Sequence, residues 1–555
     1  MGQITTRLTC AAAAAVMALA AHGINIKDDV AIHGSVQTSF LFPENDPAIN
    51  ADPVDKKILF NTYADFGLVS KYVDAGFRFE FMKWPLPGYE KDFAGWGVPN
   101  IYVKGKYKGL ELTAGDFYEQ FGSGFILRTY EERNLGIDNS IRGGRLKVNS
   151  VNGMRLTVLG GIQRRYWDWF KHSQIYGADV EFYMEDYFKS LRDHGAAWMI
   201  GGSYVLKHED EKIKKISGTD FGIRLPKFVN ALDVRSRFNK GRFSLLGEFA
   251  WKGQDPSFDN DYTYANGTAY MLSGSYSKTG LSALVQVKRS ENMAFRSQRE
   301  MDGSSAMINN MPAFAYQHTY ALASLYPFAT QAADGEWAFQ GSFAYTFKRK
   351  TALGGRYGTK INVNASYIRG LDHRAPAQLG PNGTIWGTDG TSTSFFGLGD
   401  NYYHDFNIQI EKKLTPSLQM SFLYMNQLYN QTAVEGHGGD VKSNIFVLEG
   451  KYKFNKRLTL RAELQYLTTR QDQKDWAYGL VELTVLPYLM FSVSDMWNCG
   501  DTGTHYYMAG VTGNYRANRL MLSYGRTREG YNCSGGVCRK VPAYHGFQVA
   551  YSYYF

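Results

Sequence analysis

The chain of 555 residues carries 61 Lys and Arg against 52 Asp and Glu, a formal net charge of +9, with 15% aromatic residues, 58 Gly and only 15 Pro. Beyond the N-terminus it has no apolar run of about 18 residues, which excludes a bundle of membrane helices. Abundant aromatic and β-branched residues exclude disorder, and there is neither a Gly-X-Y period nor a sustained heptad.

Residues 1–20 have the layout of a secretory signal peptide. Arg7 supplies the positive start, Leu8 to Leu19 the short apolar core, and Ala18-Leu19-Ala20 a small-residue cleavage site. Cys10 makes a poor lipoprotein cysteine, because Thr9 stands where a small residue is needed. The mature chain, 21–555, is then expected to be one domain with no separate plug or periplasmic domain, and an exported chain permits disulfides.

From there on the segments alternate. Val73, Ala75, Phe77, Phe79 and Phe81 oppose Asp74, Gly76, Arg78, Glu80 and Met82; Leu458, Leu460, Ala462, Leu464 and Tyr466 oppose Thr459, Arg461, Glu463 and Gln465. Period two is the mark of a strand with one apolar face. Charges on the second face are costly in lipid and cheap in a wet lumen, so the apolar face should point outward. The reading is an all-β, transmembrane, antiparallel up-and-down β-barrel with long extracellular loops.

Twenty-five segments read as strands, from 30–42 to 544–555, with 317–326 among them. With both termini in the periplasm, Lys71, Lys108-Gly109 and Lys278–Gly280 are short turns counted from the start, and Leu414–Pro416, Asn455-Lys456 and Ala517-Asn518 counted back from the end. The two counts disagree between 291 and 403. Bacterial single-chain barrels have even strand numbers, so 26 strands are expected, with 301–311 or 385–399 as the missed one, and 24 as the alternative.

Among the loops, Trp167-Asp168-Trp169-Phe170 suits a membrane-interface belt or a partner contact, and KHEDEKIKK in 207–227 reads as a solvated mixed-charge run. The segment Gly115–Lys147 gathers Asp116, Glu119, Arg128, Glu131, Glu132, Arg133, Asp138, Arg142 and Arg145 around Gly122, Gly124, Gly136, Gly143 and Gly144. Such density of both signs suits a loop folded into a lumen as a constriction or plug; the alternative is a solvated outside loop.

Near the C-terminus, the Gly-Gly between Cys533 and Cys538 lets the pair come within bridging distance, and a disulfide is expected; Cys499 is left free. The last strand alternates Phe547, Val549, Tyr551, Tyr553 and Phe555 and ends on Phe. It is similar to the closing strands of Gram-negative outer-membrane barrels, which the insertion machinery recognises.

GDFYEQFGSGFILR, LGIDN and GGR in 115–145, Tyr326-Pro-Phe-Ala-Thr-Gln331, and the Cys533–Cys538 loop with Arg539-Lys-Val-Pro542 together resemble an uncharacterised family of outer-membrane barrels from the Bacteroidota. The resemblance covers nearly the whole mature chain. It implies a barrel in the outer membrane and no substrate or active residue.

No enzyme is expected. His404-Asp405 lie on opposite faces of a strand, and Gly354–Lys360 lacks the spacing of a phosphate-binding loop. No cofactor or metal is expected either, and the positive charge is too thinly spread for nucleic acid. Expected partners are the lipid bilayer and lipopolysaccharide, the barrel insertion machinery, and other outer-membrane proteins. Two functions compete. One is a channel or porin-like transport protein with a lumen plugged or constricted by 119–142 and 370–401; the other is an accessory barrel of a larger outer-membrane complex.

Overall fold

The computed structural model describes residues 30–51, 55–301, 305–534 and 537–555. The expected signal peptide, 1–20, lies outside them. Among the described residues 24 strands form one barrel: β1 Val30–Glu44, β2 Leu59–Ser70, β3 Val73–Met82, β4 Gly95–Tyr107, β5 Leu110–Phe117, β6 Ile141–Val148, β7 Met154–Arg165, β8 Ser173–Tyr183, β9 Ala196–Glu209, β10 Phe228–Lys240, β11 Phe243–Lys252, β12 Gly267–Lys278, β13 Leu281–Glu291, β14 Glu336–Phe347, β15 Thr359–Arg369, β16 Asn401–Lys413, β17 Leu418–Asn430, β18 Asp440–Lys453, β19 Leu458–Thr469, β20 Trp476–Val485, β21 Leu489–Asn498, β22 His505–Tyr515, β23 Asn518–Thr527 and β24 Tyr544–Tyr554. Each pairs antiparallel with its neighbours in sequence. β24 closes on β1, with Ser35 opposite Tyr554 and Leu41 opposite Gln548, so no edge is left unpaired. A two-residue strand, Asp168–Trp169, adds to the end of β7.

The alternation is inside out, as its sequence pattern requires. In β10, Leu232 and Val234 are exposed while Val229, Ala231, Asp233 and Arg235 are buried. In β19, Leu464 and Tyr466 are exposed and Glu463 and Gln465 buried. With each strand hydrogen-bonded to its neighbours around the ring, such a wall can face hydrocarbon. Turns at the end holding Val30 and Phe555 are mostly short, and long loops crowd the other end. Exposed Tyr72, Tyr107, Phe243, Phe454 and Tyr515 mark the short-turn rim, with Lys71, Lys108 and Arg516 over neighbouring rings, the arrangement of an aromatic belt.

The strand number is therefore the alternative, 24, rather than 26. Neither 385–399 nor the described part of 301–311 is a strand, and 317–326 is not one either. Its apparent alternation is not matched by a ladder. The segment turns on itself, with Ser324 N–H on Tyr320 O, and finds partners on strand side chains, such as Leu322 N–H on Gln465 Oε1.

Candidate functional site in the barrel lumen

Two loops turn into the barrel: 118–140 between β5 and β6, and 292–335 between β13 and β14. They bond to each other, Arg128 N–H to Ile308 O and Asn310 N–H to Gly124 O. Asn309 Nδ2 ties both, donating to Phe125 O and Met293 O at 2.7 Å. Phe121, Phe125, Ile126 and Leu127 of the first pack with Phe295, Ile308, Met311 and Leu322 of the second in one buried apolar cluster. The walls make room for it, because inward positions on β10, β11, β12 and β14 are Ala231, Ala250, Ala269 and Ala338, all fully buried. Gly122 (φ +51°) shapes the loop tip; a Cβ there would lie 2.5 Å from Glu248 Oε1, the carboxylate that accepts from Ser123 N–H and Oγ–H.

The 292–335 segment reaches widely around the wall. Gln163 of β7 donates to Met307 O, Ser366 of β15 accepts from Tyr316 N–H, and Asp405 of β16 holds His318 Nε2 at 2.5 Å. Gln427 of β17 donates to Tyr326 O, and Gln465 of β19 takes Leu322 N–H. Asp405 faces in and its neighbour His404 faces away from it, as strand geometry demands.

Three fully buried lysines anchor the same segment. Lys207 of β9 pairs with Asp255 at 2.7 Å; Asp255 and Glu209 also pair with Arg299 of the loop at 2.7 and 3.1 Å. Lys288 of β13 pairs with Glu336 at 2.8 Å and donates to Pro312 O. Lys252 of β11 donates to Ala294 O. Lys207 thus departs from the expected solvated run; it is the lumen-facing end of β9.

An arginine–carboxylate network fastens the tip of 118–140. Arg78 of β3 contacts Asp65, Glu80, Glu131 and Asp138 at 2.7, 3.4, 2.8 and 3.2 Å. Arg164 of β7 pairs with Glu80 at 2.8 Å and with Asp138. Arg133 pairs with Glu131 and Asp65, donates to Gln37, and lies over the Tyr63 ring. Burial raises the Asp138 carboxyl, but the Arg164 and Arg78 guanidiniums outweigh it and hold the pKa below the ordinary range. At Glu131 burial wins over Arg78 and Arg133, and the pKa is raised.

Of the nine expected constriction residues, Glu131, Arg133 and Asp138 meet in this network. Glu119 pairs nearby with Arg145 and Lys147 of β6 at 3.0 and 2.7 Å. Glu132 accepts from Asn134 N–H and Ser534, and Arg128 lies over the Tyr130 ring with no ion pair among the described residues. Asp116 and Arg142 stand apart: they clamp β5 to β6 at 2.6 Å, with Arg142 over Trp169 at 3.6 Å. Sequence reading missed Arg78, Glu80, Asp65 and Arg164, inward members of alternating strands, and the whole of 292–335. The clue was present: charges at inward strand positions need partners.

The loop 370–400 does not enter the lumen. Arg289 and Trp337, on the outer face of β13 and β14, donate to Phe395 O, so this part of the loop lies on the outer wall, while Gly387 N–H and Thr388 O bond to Tyr262 and Tyr264 of the loop after β11. Trp167 Nε1 donates to Phe93 O and Phe170 is buried, while Trp167 and Trp169 are half-buried. Cys533 and Cys538 are bonded, across a hairpin whose Arg539 donates to Leu135 O and lies over Tyr89 at 4.3 Å. Cys499 is free.

Below the loops, towards the short-turn end, the lumen holds open cavities of about 580 to 620 Å³ against three stretches of wall. Two are lined by charges such as Lys147, Arg155, Arg235 and Glu181, or Asp65, Arg78, Lys104 and Arg145. The third, on β12 to β16, mixes Ser, Asn and Gln with apolar residues such as Leu284 and Ala344 and with Lys360 and Glu411.

A family of unknown function, DUF6029, matches residues 4–555. No curated protein matches the chain. Among solved structures it is distantly similar to Acinetobacter baumannii OccAB3 (10% identity, 95% of this chain and 99% of that one, TM-score 0.36). It is also similar to the siderophore receptor PirA from Pseudomonas aeruginosa (8% identity, 94% and 80%, TM-score 0.40) and the P pilus usher PapC translocation pore (10% identity, 94% and 99%, TM-score 0.41).

Proposed function

We propose that this chain, which belongs to the DUF6029 family of unknown function, is a non-catalytic channel of the Gram-negative outer membrane, closed in this state by its own two inward loops. Location in that membrane rests on the closed ring of strands with an apolar outer face and an aromatic rim, together with the signal peptide and resemblance read from the sequence. The Bacteroidota are the source which that resemblance implies. Channel function rests on one observation: 292–335 binds lumen-facing side chains of β7, β15, β16, β17 and β19. A 24-stranded ring is wider than the 16–18 strands that leave a porin an aqueous channel. An unobstructed ring of that width would breach the permeability barrier, and a plug answers this.

The test is conductance in a planar bilayer, comparing the mature protein with variants in which 294–333 or 119–139 is replaced by a short Gly-Ser linker. The expected result is small or rare steps from the intact protein and large, long-lived steps from the 294–333 variant. Silence from all three, with strand-rich circular dichroism, would overturn the channel. The accessory-barrel reading then takes over. The pairs of the loop's fully buried Arg299 with Asp255 and Glu209 favour it, because pulling one partner away leaves an uncompensated charge, so a plug held this way is slow to move.

A further inference from the structure

The cavity on β12 to β16 differs from its two neighbours in chemistry. Strand alternation fixes what faces it: Lys288, Glu336, Ser366 and Asp405 all meet the plug, so residues two, four and six positions further down each strand face the lumen below. Those positions include Ser342, Asn362, Asn364 and Gln409, and Ser275 of β12 shares the inward face of buried Ala269, around about 600 Å³ of space. Tyr316 of the plug closes the top, its N–H on Ser366 Oγ at 3.0 Å. The charges present, Lys360 and Glu411, neutralise each other at 3.3 Å.

The amides are half used. Asn362 Nδ2 donates to Glu411, Asn364 Nδ2 to Asn407, and Gln409 Nε2 to Ser421 and Tyr320. Among the described residues no protein donor reaches their three carbonyl oxygens. Ser275 and Ser342 likewise carry hydroxyls with no protein partner among the described residues. Amide acceptors and free hydroxyls without net charge, set among apolar Leu284 and Ala344, match a ligand that offers hydroxyl groups beside C–H faces and carries no charge.

We propose that this cavity binds a neutral sugar, entering from the short-turn end and stopping beneath Tyr316. The inference deepens the channel reading, on which its biological meaning rests, by naming the solute class. Acidic sugars lack the matching cation here, since Lys360 is already paired.

The experiment is isothermal titration of the full mature protein in detergent with maltose, maltotriose and sucrose, set against glucuronate and glucosamine. Expected is saturable millimolar binding of at least one neutral sugar and none of the charged pair. Asn362→Leu with Gln409→Leu should weaken it about tenfold or more, as a lost hydrogen-bond set would. Arg237→Gln, on β10 in the neighbouring charged cavity, keeps binding unchanged and controls for folding. No neutral sugar bound, equal binding of charged sugars, or binding indifferent to the double variant each overturns the proposal. The measurement needs no transport, so silence in the bilayer and absence of binding are separate failures.

Discussion

At the level of single residues, the lumen is governed by the rule that a buried charge must be paired. Arg164, fully buried, is held by Glu80 and Asp138. Arg164→Ala leaves both carboxylates facing Arg78 alone and should cost about 3–5 kcal/mol locally. The expected readout is new protease cleavage within 118–140 while the barrel stays folded. At Lys288–Glu336 the same rule gives a cycle. Lys288→Met alone strands Glu336, whereas Lys288→Met with Glu336→Met is near neutral or stabilising; urea unfolding of the three proteins distinguishes the outcomes, and equal losses in single and double variants would contradict it.

Titration of the same network has a definite sign. The Asp138 pKa is lower in the folded state, so its contribution is complete above the unfolded value, about 3.9, and is lost as pH falls through the lower folded one. Glu131 has a raised folded pKa, so its protonation on mild acidification relieves a burial penalty rather than removing support. Protection of 118–140 from an acid-active protease should therefore persist at about pH 5 and fail only below about pH 4. Loss of protection already at pH 5 would show that the network is not the fastening.

On the outer face the arithmetic reverses. Leu464 is 64% exposed in mid-β19, and Leu464→Arg puts a charge at the bilayer midplane, at a cost of about 2–4 kcal/mol. Refolding into lipid vesicles should show that loss, while Gln465→Glu, one residue on and facing the plug, should act on the Leu322 contact instead.

At the level of elements, the strands and the two inward loops obey different bookkeeping. A strand satisfies its backbone on its neighbours and leaves side chains free to face two media. The described part of the loop 292–335 joins no barrel ladder, and besides local backbone pairs such as Ile308 N–H on Phe295 O it relies on strand side chains such as Ser366, Gln427 and Gln465. That dependence makes it removable in principle without opening the ring. The hairpin closed by Cys533–Cys538 rests on the other inward loop through Arg539 and Leu135. Reducing the disulfide, or Cys533→Ser with Cys538→Ser, should raise hydrogen exchange in both the hairpin and residues 131–138; a change confined to the hairpin would mean that the contact carries no coupling.

At the level of the whole molecule, the seam between first and last strands completes the ring. Phe555 N–H bonds to Gly34 O, and its ring lies where a Cβ on Gly34 would be, 2.4 Å away, with Phe66 beyond. Phe555→Ala removes that cover, and Gly34→Leu cannot coexist with it. Both should lower the fraction of barrel that stays folded in unheated detergent gels, with Gly34→Leu the more severe; unchanged mobility for both would leave the seam without the importance assigned to it. The terminal aromatic series is proposed to serve as well as the signal read by the insertion machinery.

Alternation along β3 and β19, the short turns at Lys108-Gly109 and Ala517-Asn518, and the Cys533–Cys538 bridge were legible from residues alone, because each depends on neighbours in sequence. Parity was legible as a conflict between 291 and 403 but not as its solution. The stretch 317–326 has strand-like spacing, and only the registers of β13 with β14 and β14 with β15 leave it without a place in the wall. Glu131, Arg133 and Asp138 could be named as lumen charges from their density. Arg78 and Glu80 could be placed on a lumen face, but neither they nor Arg164 could be matched to these charges, since the nearest, Arg164, lies 26 residues from Asp138 and Glu80 is 84 residues from Arg164. Local chemistry thus determined the strands and which face meets lipid. Tertiary structure alone decided which loop fills the ring, because that choice is made by side chains of strands far apart in sequence, each with a buried charge or amide to satisfy.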